Sequence, residues 1–398
     1  MATVQDILDR KNFPVSFSFR SDPKGPIPDQ IGFDRNSAAW EFNQKTYLWE
    51  KKDPGVPRHM YDMGSGQYIG VGAEDGYTNS VEWSADVSNW GTVGVNFLSN
   101  ETSFIEGGTA RRFERTSTPR ATSPAGSFSS GNEFVFGIME RVNSSEDGIA
   151  IWDNTANGYV IRLDFNWSNE ELNVKKNGLG NVVTRGGEKQ MRAHVIEGKN
   201  GGKAVIILAE YVADNPGNTR QFWGMPAIGG GEGIVHGGQI IEDILGTGSF
   251  IVTDGTPTVK NGENIRVFGG GTPPWWNKRQ GTIYVEYYKT GFNGRLGFLV
   301  ADGGNTRWVY NGGTYDGQNR VSPGGRIFET GVLCKAAVSL TRNEMRSAKN
   351  GKVAVGPHNG SLLTHEEMNI GGGQAALREF RYSPVAASPD HIADLTSS

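Results

Sequence analysis

Glycine recurs through this chain between short runs of alternating apolar and polar residues, and that punctuation restricts the fold more than any other feature. There are 57 glycines in 398 residues, about twice the ordinary usage of about 7%. They follow no Gly-X-Y period. Asn157-Gly158, Asn177-Gly178, Gly186-Gly187 and Gly201-Gly202 stand where tight turns join strands. A chain interrupted this often by turn residues predicts an all-β protein.

Composition excludes several classes. Hydrophobic residues are 36% and charged residues 21%, as in a soluble globular protein, and the net charge is -4. No long basic run offers an electrostatic footprint for nucleic acid. No apolar run approaches the roughly 18 residues of a membrane span, so membrane insertion is not expected. Asp6 and Asp9 interrupt the apolar core that a signal peptide needs, so export by that route is not expected either. The one cysteine, Cys334, opens an apolar run and is expected to be a core thiol; it excludes an intrachain disulfide.

The chain divides into three parts: an N-terminal arm and module over 1–80, a first β-sandwich over 81–243 and a second over 244–398. The arm holds a short helix from Thr3 to Arg10. A strand follows in which Phe13, Val15, Phe17 and Phe19 share one face. Strands in the first sandwich are expected at Thr92–Leu98, Ala110–Arg115, Glu133–Glu140, Gly148–Asp153, Gly158–Phe165, Glu171–Lys175, Gln190–Glu197 and Lys203–Tyr211. That spacing fits a jelly roll. Residues 229–250, opening with the run Gly229 to Gly238, read as a glycine-rich join, a hinge or a site of close packing between domains. The second sandwich contains Gly281–Tyr288, Arg295–Val300, Thr306–Tyr310, Gly331–Leu340, Gly351–Val355 and Gln374–Tyr382. A helix closes it, with Ser388 as N-cap and Pro389 at its first position.

Three blocks of motif carry a resemblance. The first is Arg35, Ser37, Ala38 and Trp40, then Pro57, Arg58, Tyr61 and Asp62, then Glu74, Thr78 and Asn79. The second is Trp90 and Val95 before Gly108-Thr109-Ala110. The third is Trp275-Trp276-Asn277 before Gly281-Thr282-Ile283-Tyr284, closing with Phe380, Tyr382, Pro384, Leu395 and Thr396. Together, in this order, they resemble tailed-bacteriophage virion and tail structural proteins with carbohydrate-binding-module-like and concanavalin A-like (laminin-G-like) sandwiches. In the first block Trp40 stands where tyrosine is usual. The resemblance implies a virion-surface protein assembled in the host cytoplasm. It also implies contacts to other virion proteins through the N-terminal region, a homo-oligomer with a trimer favoured, and a host-surface polysaccharide as ligand. Arg35 and Arg58 are planar donors suited to tying loops to carboxylates such as Asp62 and Glu74, a structural role.

No catalytic constellation is visible. Glycosidases place two carboxyls about 5 Å or more apart across the scissile bond. Glu286 has tyrosines on its own face, and Glu140 and Asp164 have no same-strand partner. The six histidines are dispersed, which argues against a metal centre. Asp153 to Gly158 resembles the start of a calcium loop, but the β residues after it favour a hairpin. No cofactor is expected. The aromatic residues are the candidate ligand contacts, because their faces stack on the apolar C–H faces of sugars. Trp275, Trp276, Asn277, Trp308 and Tyr310, in or beside glycine-rich loops, form the candidate site, with subunit packing as the competing role. Trp152, Trp167 and Trp223 are assigned to packing. The expectation is a non-enzymatic tail fibre or tail-associated adhesin; the alternatives are a capsid-decoration or head-fibre scaffold and a polysaccharide depolymerase.

Overall fold

A computed structural model describes residues 15–18, 32–43, 46, 48–61, 67–72, 77–127, 132–185, 187–242, 249–260, 262–268, 273–289, 297–301, 307–310, 313–316, 318–323, 332–360, 367–371 and 375–397. The expected helix Thr3–Arg10 lies outside these residues. The described chain is built almost wholly of antiparallel strands and closes with one helix.

The first sandwich is a single eleven-stranded sheet folded over on itself. Its order is Glu171–Asn177, Gly158–Asn166, Glu146–Asp153, Thr219–Met225, Thr109–Ser127, Glu232–Glu242, Asn132–Arg141, Lys203–Ala213 and Gly180–Val182. Met191–Glu197 adds beside Lys203–Ala213, and Gly91–Thr102 beside Thr109–Ser127. The fold-over is carried by Thr109–Ser127. Its residues 111–114 pair with 232–235 in one half, and its residues 121–127 pair with 219–224 in the other. A strand that passes between layers is how two packed sheets share a corner. The far ends also meet: the Gly178 and Leu179 amides donate to the Val160 and Tyr159 carbonyls. Ile149, Ile151, Ile161, Leu163, Phe222, Val205, Ile207 and Val235 fill the interior.

The glycine-rich join is a turn only through residues 229–231; from Glu232 to Glu242 it is strand. Glu232–Glu242 is a strand between Thr109–Ser127 and Asn132–Arg141. Its glycines are there for close approach. Any side chain at Gly238 would strike the Phe222 ring, and one at Gly237 (φ +149°) would strike the Ser84 carbonyl. Sequence reasoning saw the glycines and missed the strand between them.

The second sandwich packs an eight-stranded sheet on a seven-stranded one. Gly281–Lys289 lies inside the larger sheet, between Leu333–Leu340 and Ala375–Ser383. Its Ile283, Val285 and Tyr287 point inward, as the alternation predicts, and meet Ile265, Val267, Met368 and Ile370 of the smaller sheet. Cys334 is buried in the same core. On the outer face, Ile392 and Leu395 of the helix Pro389–Thr396 cover Tyr284, Ala337 and Ala348. The Ser388 hydroxyl accepts the His391 amide, the expected N-cap.

Strands from the first 80 residues join the sheets of the second sandwich. Val15–Ser18 pairs with Ala375–Ser383, Gly32–Asp34 with Asn264–Phe268, and Tyr68–Gly72 with Ala375–Ser383. The hairpin of Ala39–Asn43 and Leu48–Lys52 pairs with Ser249–Phe250 and inserts Trp49 among Phe104, Phe136 and Phe250. The register Thr258–Lys260 to Tyr77–Asn79 ties the same regions again.

Candidate functional site

The tryptophan pair of the second sandwich closes a core. Trp276 is 5% exposed and stacks on Tyr382, with ring centroids 4.5 Å apart and planes at 16°. Trp275 is partly buried against the same core and lies 5.4 Å from the Tyr382 ring. The Asn277 amide N–H donates to the Tyr382 hydroxyl at 2.8 Å, and its side-chain amide donates to the Pro384 carbonyl at 2.9 Å. Trp276 and Asn277 are therefore consumed by the fold, because the loop before the strand must cover the open end of the sandwich. Trp308 and Tyr310 lie on the strand Arg307–Tyr310, but their side chains are outside the described residues.

Arg35 and Arg58 are anchors, and the carboxylate they share in this structure is Glu263. Arg35 Nη1 lies 2.9 Å from Glu263 Oε1, and Arg58 Nη2 lies 2.9 Å from Glu263 Oε2. Lys260 Nζ approaches Oε2 at 3.3 Å, and all four side chains are fully buried. Burial alone would raise the Glu263 carboxyl, but Arg58, Lys260 and Arg35 hold it well below the usual carboxylate range. Asp62 and Glu74 lie outside the described residues. Sequence spacing offered no route to a partner more than 200 positions away.

The acidic residues also acquire partners. Glu286 stands directly across from Glu379 in the strand register. They are 3% and 0% exposed, and arginines from the same strand as Glu379 serve them. Arg378 Nε lies 3.5 Å from Glu286, and Arg381 Nε donates to Glu379 at 2.7 Å. The carboxylate partner missing from the Glu286 strand is thus supplied by its neighbour, in a buried place. Glu140 accepts from His236 Nε2 at 3.0 Å and from the Asn200 amide at 2.8 Å. The Phe104 amide donates to His236 Nδ1, which fixes the tautomer, and burial pushes this imidazole below its ordinary pKa. Asp153 holds Arg220 at 3.0 Å, and the turn at Asn157 (φ +53°) joins Glu146–Asp153 to Gly158–Asn166 as the expected hairpin.

A second aromatic cluster lies on the first sandwich. Ile149 and Ile151 point into its core, so strand alternation turns Ala150 and Trp152 outward. Register places Ala150 opposite Trp223 on one side and opposite Arg162 on the other; Arg162 in turn faces Lys176. On this outer face Trp152 stacks on Trp223, with centroids 4.6 Å apart and planes at 14°. Tyr159 meets both rings edge-on, at 5.0 and 5.3 Å. Trp223 is enclosed at 2% exposure, whereas Trp152 and Tyr159 are half-buried.

Polar groups surround the rings. The Arg120 guanidinium lies 4.3 Å over Trp223, and Lys176 Nζ lies 5.3 Å over Tyr159. Gln221 accepts from the Trp223 indole N–H at 3.0 Å. Arg162 donates to Asp164 through two nitrogens, at 3.0 and 2.9 Å. Burial raises the Asp164 pKa, opposed by that arginine. The packing assignment is correct for Trp167, whose indole N–H donates to buried Asp147 at 2.7 Å. It holds for Trp223, which is 2% exposed, and Trp152 packs on it from the outer face of the sheet. Counting alternate positions from Ile149 and Ile151 gives the outward direction of Trp152; the neighbouring strand that brings Trp223 alongside is not visible locally.

No family model matches the chain, and no curated protein matches it. Among solved structures, the mouse laminin alpha1 chain, domains LG4-5, is similar at 11% identity and a TM-score of 0.22, covering 68% of this chain and 88% of that chain. A likeness at that level does not bear on ligand or partner. The fold and the half-buried ring cluster define a two-sandwich all-β protein with an aromatic sheet face.

Proposed function

We propose that this chain is a non-enzymatic structural protein of a tailed-phage virion surface, a tail fibre or tail-associated adhesin, that binds host-surface polysaccharide on the outer face of its first sandwich. The observation that carries the binding reading is the half-buried pair Trp152 and Tyr159, backed by Trp223 and rimmed by Gln221, Arg120, Arg162 and Lys176. Aromatic carbon and a polar rim are what a sugar needs, with one apolar face and many hydroxyls. The virion setting and the N-terminal contacts to other virion proteins rest on the three motif blocks. Self-association is supported by Gly91–Thr102, a twelve-residue strand that among the described residues pairs with one neighbour and exposes Val93, Phe97 and Leu98.

The test is binding of the full chain to host cells and to a glycan array, compared with Trp152→Ala/Tyr159→Ala. Loss of binding in a variant that keeps its unfolding midpoint is the expected result. Unchanged binding would move the site elsewhere, and absence of binding by the parent protein would favour a scaffold. Release of reducing ends from host polysaccharide would overturn the non-enzymatic reading.

A further inference from the structure

We infer that the ligand of this face is an acidic, carboxylate-bearing glycan; the inference rests on reading the face as a glycan platform. Five neighbouring strands contribute to it, in the order Thr109–Ser127, Thr219–Met225, Glu146–Asp153, Gly158–Asn166 and Glu171–Asn177. Arg120 sits on the first, Lys176 on the last, and the rings lie between them. Four inter-strand steps of about 4.8 Å separate the outer strands by about 19 Å, room for a short stretch of polysaccharide rather than one sugar.

Two other cations of these strands have carboxylate partners. Arg162 is matched by Asp164, and Lys175 lies 3.7 Å from Glu146. Glu171 accepts from the Asn169 side chain. Arg120 and Lys176 lie over rings, and among the described residues neither has a carboxylate within ion-pair distance. In a chain of net charge -4, two uncompensated cations bracketing an aromatic platform form a local excess of positive charge. A guanidinium and an ammonium offer donors only. Sugar carboxylates spaced along a chain would be acceptors for both ends, while the rings take the apolar faces of the sugars between.

The experiment compares polygalacturonate with its fully methyl-esterified form, which keeps the sugars and removes the charge. Each is titrated against the full chain, against Arg120→Gln/Lys176→Gln and against Trp152→Ala. The expected result is about tenfold tighter binding of the acid form by the parent protein, the effect of two partly exposed ion pairs. The double-glutamine variant loses that preference for acid over ester, whereas Trp152→Ala weakens binding of both. Equal binding of acid and ester by the parent overturns the acidic-ligand inference and leaves the platform standing. Binding of neither polymer, or full binding of both by Trp152→Ala, overturns the platform and the inference with it. A preference that survives in the double-glutamine variant overturns the assignment to Arg120 and Lys176.

Discussion

Trp276 stacks flat on Tyr382, and the Tyr382 hydroxyl accepts the amide of the next residue, Asn277. The two contacts fasten the loop before Gly281–Lys289 to the strand Ala375–Ser383, over the end of the second core. A motif with the composition of a binding site thus acts as a closure. Trp276→Ala is expected to cost about 3–5 kcal/mol of stability, as for a large aromatic removed from a core. Urea unfolding measures the loss, and glycan binding by the protein that stays folded should be unchanged.

Glu263 gives the fold an acid-sensitive lock. Its folded pKa is held below the ordinary 4.5 by three buried cations. The stabilisation is therefore complete above that value and is lost as pH falls below it. Glu263→Gln is expected to destabilise by about 3–5 kcal/mol at neutral pH, because it leaves buried cations without their shared carboxylate. The gap between parent and variant melting temperatures should narrow as pH is lowered from about 5 toward 2. A gap constant with pH would show that Glu263 is not the titrating group.

His236 acts in the same direction at higher pH. Its folded pKa lies below 6.5 because burial disfavours the imidazolium. Stability is full above about 6.5 and declines as the unfolded chain takes up the proton. In His236→Gln, whose amide can accept from Phe104 and donate to Glu140, the part of the decline that sets in as pH falls below about 6.5 should disappear. Thermal unfolding below that pH reads it directly.

Gly238 packs against the Phe222 ring with no space for a methyl group. Gly238→Ala must displace either the ring or the strand, and overpacking of this kind typically costs about 1–3 kcal/mol. A fall in the denaturation midpoint is expected. An unchanged midpoint would mean the strand Glu232–Glu242 has slack that its position between two neighbours denies.

The strand Gly91–Thr102 should govern assembly. Val93→Lys/Leu98→Lys places charge on the exposed edge at residues that belong to neither core cluster. A shift toward smaller species in sedimentation velocity is expected, with the melting profile of the monomer preserved. An unchanged distribution would remove this strand as a site of self-association.

The sequence by itself determined the class of fold and most strand positions, because alternation and turn chemistry are local. Ile283, Val285 and Tyr287 could be assigned to one face from spacing alone, as could the helix from Ser388 and Pro389. What acts over distance lay beyond it. Glu263 meets Arg35 and Arg58 across more than 200 residues, and Glu379 faces Glu286 from another strand. Gly237 and Gly238 look like a linker until Ser84 and Phe222 are packed against them. The candidate ligand surface shows the same division. Local alternation sets the outward face of Trp152, but only the sheet order places Trp223 and Arg120 beside it. Strand neighbours are chosen by packing and hydrogen bonding between distant segments, and no short window of sequence encodes that choice.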